Sequence, residues 1–221
     1  MSRPVKPRTA QRTYQSPLRA QQAQDTRTAI LDAAEPLFTT AGYAGTRLAD
    51  VATGAGVSLA TVKLVFGTKT ELLLNLWHRT LAGGVDDGVP VARRDWFPGE
   101  PEPTEPEAKL RRMVALSTMV KKRIATLVDV IETAAAVDDT IAALWAKMQR
   151  EFHDRMAGLV ADLGELRPGL SPDDAIDIAW VLTSTKTYLM LVHDRGWSAP
   201  RYETWLFEAL RRELLRPPGT G

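Results

Sequence analysis

Gly56 stands four residues after Ala52 and six before Val62, inside the run Ala49-Asp50-Val51-Ala52-Thr53-Gly54-Ala55-Gly56-Val57-Ser58-Leu59-Ala60-Thr61-Val62-Lys63-Leu64-Val65-Phe66. No other feature of the chain restricts its fold as tightly. Two short helices that cross steeply through a turn of three or four residues make three demands. The first helix needs a small residue where the second packs on it, and Ala52 fits. The turn needs a residue that accepts positive φ, and Gly56 fits. The second helix needs an apolar anchor turned inward, and Val62 fits. Ser58 is placed to cap the second helix by accepting from the N–H of Ala60 or Thr61.

The flanking sequence is helical too. Ile30, Leu31, Ala34, Leu37, Phe38 and Ala41 recur at the spacing of an amphipathic helix that starts near Thr26. Pro36 lies inside that helix and predicts a kink, and Gly42 predicts a left-handed C-cap. Short helices are expected at 47–53 and 59–66, and a longer one at 69–82, ending at Gly83-Gly84. Helical pattern resumes at 107–124 and 126–136 and continues over 139–162. Ser171-Pro172-Asp173-Asp174 reads as an N-cap, a first-turn proline and acidic first-turn residues, opening a helix to about His193. A last helix covers 199–215, before Pro217-Pro218. No alternating strand pattern of useful length interrupts the series. The expected fold is therefore all-α with about nine helices.

Composition divides the chain. Residues 1–24 are rich in Arg, Gln, Pro and Thr and read as a disordered basic arm. The helix-turn-helix domain is placed at 25–82 and a Pro- and acid-rich connection at 83–106, where Trp96-Phe97 is a candidate docking pair. The second helical domain is placed at 107–216. Residues 1–81 hold ten Lys/Arg against five Asp/Glu, whereas the remainder holds 18 against 22. A basic front half on a nearly neutral chain fits a local surface for a polyanion, although a merely solvated tail gives the same count. The chain has no cysteine, so disulfides and thiolate metal sites are absent, which suits a reducing cytoplasm. No apolar run approaches the length of a membrane span, and the basic N-terminus lacks the apolar segment of a secretory signal.

Capping by Ser58 leaves the first turns of the second short helix free to enter a major groove of duplex DNA. Leu59, Ala60, Thr61, Lys63 and Leu64 are its exposed candidates, with Val57, Val62, Val65 and Phe66 as anchors. Thr46 is expected to cap the first short helix and offer its hydroxyl to a phosphate, with Arg47 beside it. Lys69 is the expected phosphate ligand at the start of the next helix. A plain helical hairpin has the same small-Gly-apolar spacing, and the basic flanks favour the DNA-binding reading over it.

Residues 26–73 resemble the N-terminal domain of TetR-family repressors. The resemblance rests on Ile30-Leu31-Asp32-Ala33-Ala34, Leu37-Phe38, Gly42-Tyr43, Thr46, Val51-Ala52, Ala55-Gly56-Val57-Ser58, Thr61, Phe66, Lys69 and Leu72-Leu73. Leu182-Thr183-Ser184 and Arg195-Gly196-Trp197 look like one subgroup of that family. The resemblance implies three DNA-binding helices, a larger effector-binding domain and a homodimer built on the last two helices. It also implies a palindromic operator and repression relieved by a small molecule. Two residues depart from the family pattern. Lys63 replaces the usual Tyr, exchanging a phosphate-touching phenol for an ammonium. Val65 replaces a residue that is often polar or His.

In the second half, Tyr202, Trp205, Leu206 and Leu210 form a stripe on the last helix, with Val181 and Tyr188 on the preceding one. Two such hairpins paired about a two-fold axis make a four-helix interface; the same stripe could be internal core. Met113, Met119, Trp145, Met148, Phe152, Trp180 and Tyr188 are candidate lining residues for an apolar or aromatic effector, although such residues at helical spacing also build ordinary cores.

Catalysis has little support. His78, His153 and His193 are far apart in sequence, and Glu151, His153 and Asp154 occupy neighbouring helix positions that do not converge. No cofactor and no metal is expected. A helical ligand-binding or adaptor dimer without DNA binding is the rival reading, and the choice between repressor and activator is open at this level.

Overall fold

The computed structural model describes residues 17–84 and 103–216. Nine α-helices are present in these residues, and the only β-pairing among them is an isolated bridge between Leu166 and Leu215. The all-α expectation holds. The helices are α1 (Pro17–Gly45), α2 (Leu48–Gly54), α3 (Leu59–Phe66), α4 (Lys69–Leu81), α5 (Pro106–Ala135), α6 (Asp139–Leu163), α7 (Pro172–Leu182), α8 (Thr185–Tyr188) and α9 (Ala199–Leu214). A π-helical turn, Leu189–Asp194, continues α8. The docking pair Trp96-Phe97 and the stop at Pro217-Pro218 lie outside the described residues, as do residues 1–16 of the expected arm.

Three expectations about helix limits need correction. The helix expected from Thr26 begins at Pro17, so residues 17–24 of the arm are helical. Residues 18–24 are exposed, and Gln21 donates to Asp25 one turn on at 2.8 Å. Low apolar content signalled a coil, but Ala, Gln and Arg are good helix formers that need no buried face. Next, 107–124 and 126–136 form one unbroken helix of 30 residues, because neither Gly nor Pro divides them. Finally, the helix expected to reach His193 stops at Leu182. The buried Thr183 hydroxyl turns back onto the Ala179 carbonyl, and Ser184 accepts from the Thr187 amide at 3.2 Å. These local bonds compete with continued helix, and the next segment leaves at 41°.

Pro36, where a kink or a distorted turn is expected, keeps helical backbone angles. Pro36 sits on the exposed side of α1, and the one residue inside that helix with non-helical angles is Gly42, at φ 68° and ψ 179°. Gly42 turns the chain so that Tyr43 reaches back into the core.

Apolar side chains collect in two cores. The first joins Ile30, Leu31, Ala34 and Phe38 of α1, Val51 and Ala52 of α2, Val62 and Phe66 of α3, and Leu72, Leu73, Leu76 and Trp77 of α4. Five residues of α5 between Ile124 and Ile131, together with Ala134, and Ile141 of α6 complete it. The second joins Leu110, Val114 and Ala125 of α5 to Met156, Val160 and Leu163 of α6, Ala175 and Ala179 of α7, and the inner face of α9. Two helices, α5 and α6, therefore serve both cores, and each holds the first half of the molecule to the second.

Candidate nucleic-acid interface

The helix-turn-helix forms as the spacing requires. Ala52 and Val62 are buried where α2 and α3 meet, and the two helices are bent by 107° from one another. Gly56 has φ +66°, and a Cβ there would meet nothing within 4 Å. Glycine is thus demanded by the backbone angle and not by space. Ser58 Oγ accepts from the Thr61 amide at 3.0 Å and lies 2.8 Å from Thr61 Oγ1. That cap leaves Leu59, Ala60, Lys63 and Leu64 exposed on α3, with Leu64 86% exposed. Phe66 is buried on the opposite face, and Val57 and Val65 are half-buried. Thr61 is half-buried, with its hydroxyl against Ser58.

Two residues assigned to phosphate are engaged elsewhere. Thr46 does not cap α2; the N-cap is Arg47, which makes no side-chain cap bond. Thr46 is buried, and its hydroxyl donates to the Gly42 carbonyl at 2.8 Å, satisfying an acceptor freed by the turn there. Lys69 Nζ donates to the Tyr43 carbonyl at 2.8 Å and the Thr46 carbonyl at 3.2 Å, and lies 4.2 Å from the Tyr43 ring centroid. This half-buried cation is thus engaged within the subunit by two carbonyls and a ring face. Arg47, by contrast, is exposed at the start of α2.

Several further side-chain contacts hold this unit together. Arg27 of α1 donates to Asn75 of α4 and stacks 4.6 Å from the Phe66 ring centroid of α3. Thr68 and Glu71 form a reciprocal capping box at the start of α4. Tyr43 packs parallel to Phe38, with ring centroids 6.3 Å apart. The capping box has a sequence signature, Thr-x-x-Glu, whereas the contacts of Arg27 join positions far apart in the chain.

The candidate effector residues are not brought together. Trp145 and Met148 pack against the first core, whereas Met113, Phe152, Trp180 and the buried Tyr188 belong with the second. Met119 is half-buried and belongs to neither. Two shallow cavities of about 450 and 430 Å³ lie elsewhere, the first lined by Glu105, Pro106, Glu107, Glu165, Leu215 and Arg216. The candidate interface residues divide as well. Tyr188, Tyr202, Leu206 and Leu210 are buried within the subunit, Tyr202 and Tyr188 meeting edge-on at 5.0 Å. Their stripe is internal core, because α9 lies along α5 and α7 and turns that face toward them. Val181 is 55% exposed and Trp205 is half-buried.

Among the described residues, no group of three or more His, Asp or Glu is arranged to hold a metal ion, and no single helix is long and apolar enough to cross a membrane. His153 pairs with Asp177 at 3.1 Å, away from Glu151 and Asp154.

Residues 30–76 match the family model described as bacterial regulatory proteins, tetR family. The HTH-type transcriptional regulator AcrR of Shigella flexneri is 31% identical over 111 residues, which is 50% of this chain and 50% of that protein. The match thus spans half the length of that relative. A putative transcriptional regulator from Saccharomonospora viridis in complex with choline shares the fold at TM-score 0.65 and 19% identity, over 88% of this chain and 100% of that one. NalD, the secondary repressor of the MexAB-OprM multidrug efflux pump in Pseudomonas aeruginosa, aligns at TM-score 0.61 and 20% identity, over 90% and 100%.

The capped, outward-facing α3 on its steeply crossing partner, joined to a larger helical half, defines a helix-turn-helix protein of two-part helical build. Residues 30–76 thus resemble the DNA-binding part of the TetR family of bacterial regulatory proteins.

Proposed function

We propose that the protein is a transcriptional repressor that binds a palindromic operator in duplex DNA as a homodimer and leaves it when a small molecule binds its second half. The observation that carries this reading is the exposed face of α3. Its N-terminus is capped from within by Ser58, its anchors Val62 and Phe66 are buried, and Leu59, Ala60, Lys63 and Leu64 face outward. An α-helix presented this way fits the major groove, which distinguishes all four base pairs. Leu59 and Leu64 suit thymine methyl groups. Arg47 and Lys63 suit phosphate oxygens, and the family pattern of a phenol at position 63 is thereby replaced by a point charge whose contact weakens with salt. Thr61 and Ser58 support the reading face through their mutual bond.

We assign the DNA-binding domain to residues 25–82 and the effector and dimer functions to 107–216. For the dimer, α7 and α9 offer Val181 with Ile178 and Leu182 beside Asp177 and Glu213, a shallow and mostly apolar groove. For the effector, half-buried Met113, Phe152 and Trp180 favour an apolar or aromatic molecule. A regulator of this bacterial family works in the cytoplasm, where the chromosome is.

Selection of duplexes from a random-sequence pool, followed by footprinting, tests the proposal. The expected result is a protected palindrome whose half-sites are spaced by whole helical turns. Enrichment of no sequence at any salt concentration would leave the adaptor-dimer reading in its place.

A further inference from the structure

One carboxylate ties the helix-turn-helix unit to the N-terminus of α6. Asp138 is the N-cap of α6, and its Oδ1 accepts from the amides of Thr140 at 3.0 Å and Ile141 at 3.1 Å. Its Oδ2 points the other way. It accepts from the Tyr43 hydroxyl at 2.9 Å and the Thr70 hydroxyl at 3.1 Å, and those two hydroxyls are 2.9 Å apart. An N-cap needs one oxygen, so the second is available for another task. Here it gathers α1 and α4 of the helix-turn-helix unit onto the N-cap of α6. The amide of Ile141 and the Tyr43 hydroxyl both favour the ionised form and hold the Asp138 carboxyl below the usual carboxylate range.

Tyr43 lies where this contact has leverage. It follows the turn at Gly42, and its carbonyl is held by Lys69, which also holds the carbonyl of Thr46, the last residue before the N-cap of α2. The bonded path therefore runs from the α6 N-terminus through the Tyr43 ring and main chain to Lys69, Thr46 and the start of α2, on which α3 is packed. At its other end α6 places Met156, Val160 and Leu163 in the second core. A shift of α6 by less than an ångström would lengthen both hydroxyl bonds beyond useful geometry.

We propose that Asp138 is a positioning residue for DNA binding, holding Tyr43 and Thr70 on one carboxylate oxygen so that the position of α6 sets the position of α2 and α3. The proposal rests on the DNA-binding reading above and deepens it by naming the link through which the second half acts on the first. Asp138 touches no nucleic acid itself.

Two substitutions separate coupling from capping. Asp138→Ser keeps an N-cap oxygen of equal quality but is too short to reach Tyr43. Tyr43→Phe removes one oxygen and keeps the ring against Phe38 and Lys69. The probes are a duplex enriched from the random pool and a scrambled duplex of the same length. Amide hydrogen exchange in α2–α3 and in α9 is measured without DNA. Each variant is expected to lose about tenfold in affinity for the enriched duplex, within the usual range of site-to-site coupling, with unchanged affinity for the scrambled one. The double variant should lose no more than Asp138→Ser alone, because that substitution already removes the bond that Tyr43→Phe removes. Exchange should quicken in α2–α3 and not in α9. Unchanged affinity for the enriched duplex overturns the proposal, as does an equal loss on both duplexes or quickened exchange throughout the molecule, which would mean general destabilisation. If the unaltered protein enriches no duplex, the DNA-binding reading fails instead, and the exchange measurement alone decides whether Asp138 holds α2–α3.

Discussion

Arg79 Nη1 lies 2.7 Å from Asp32 Oδ1, and its Nη2 lies 3.3 Å from Glu35 Oε2, so one nearly buried guanidinium of α4 spans two carboxylates one turn apart on α1. The charge sits on the inner partner, and both acids reach water. Arg79→Met therefore strands no buried charge and keeps most of the apolar stem. The expected loss is about 1–2 kcal/mol, the worth of charge-assisted bonds to partly solvated acids. Urea unfolding should show a lower midpoint at unchanged slope. An unmoved midpoint would mean that the fork contributes nothing.

Lys121 is buried in α5, and its ammonium donates to the Ser117 hydroxyl with no carboxylate paired to it among the described residues. Burial without a carboxylate pushes its pKa from the ordinary 10.5 down to about 7. Between these two values the unfolded chain binds a proton that the folded chain does not, so stability rises with pH across that window. Below pH 7 the full penalty of a buried cation is present. Lys121→Met should thus stabilise the protein by a few kcal/mol near pH 6, with the gain vanishing above about pH 10.5. Melting curves of both proteins at pH 6, 8 and 10 check the trend, and a gain independent of pH would contradict the assignment.

Lys63 and Leu64 are neighbours with different expected tasks. Lys63→Ala should weaken binding to every duplex and reduce the salt slope by about one. Leu64→Ala should leave the slope alone and change the preferred bases, at about 1–3 kcal/mol for the best site. Binding titrations at several salt concentrations against enriched and altered duplexes separate the two, and identical behaviour of both variants would remove the distinction.

For the dimer, Val181 and Leu206 are the informative pair. Val181 is 55% exposed and Leu206 is fully buried. Val181→Glu, next to Asp177 and Glu213, should give folded monomers that bind a half-site weakly. Leu206→Glu should instead lower the melting temperature sharply, since an unpaired buried charge costs several kcal/mol. Light scattering with circular dichroism distinguishes these outcomes, and a full dimer from Val181→Glu would place the interface elsewhere.

The part of the site governed by local rules was legible from the chain. Gly56, Ser58 and Val62 act within a few residues of one another, and their spacing alone predicts the turn, the cap and the anchor. What depends on distant partners was not. Nothing in the sequence around Thr46 and Lys69 says that their polar ends turn to the carbonyls of Gly42, Tyr43 and Thr46. The bond from Tyr43 to Asp138 joins residues 95 positions apart. Helical periodicity identified the stripe of Tyr202, Leu206 and Leu210 but could not say whether α9 turns it to its own subunit or to another, and burial assigns it to its own. The break after Leu182 escaped notice because Thr and Ser side-chain bonds, and not Gly or Pro, produce it.

The first core is closed by residues that come late in the chain. Its floor is supplied by α5 from Ile124 onward and by Ile141, some sixty residues after Phe66 has completed α3. A chain growing from the ribosome therefore carries its whole reading helix long before it can hold that helix in place. Until residue 141 has been added, the apolar backs of α1 and α4 lack their cover. A translation product cut short before α5 keeps all of α1 to α4 and lacks the apolar side chains of α5 and α6 that complete their core.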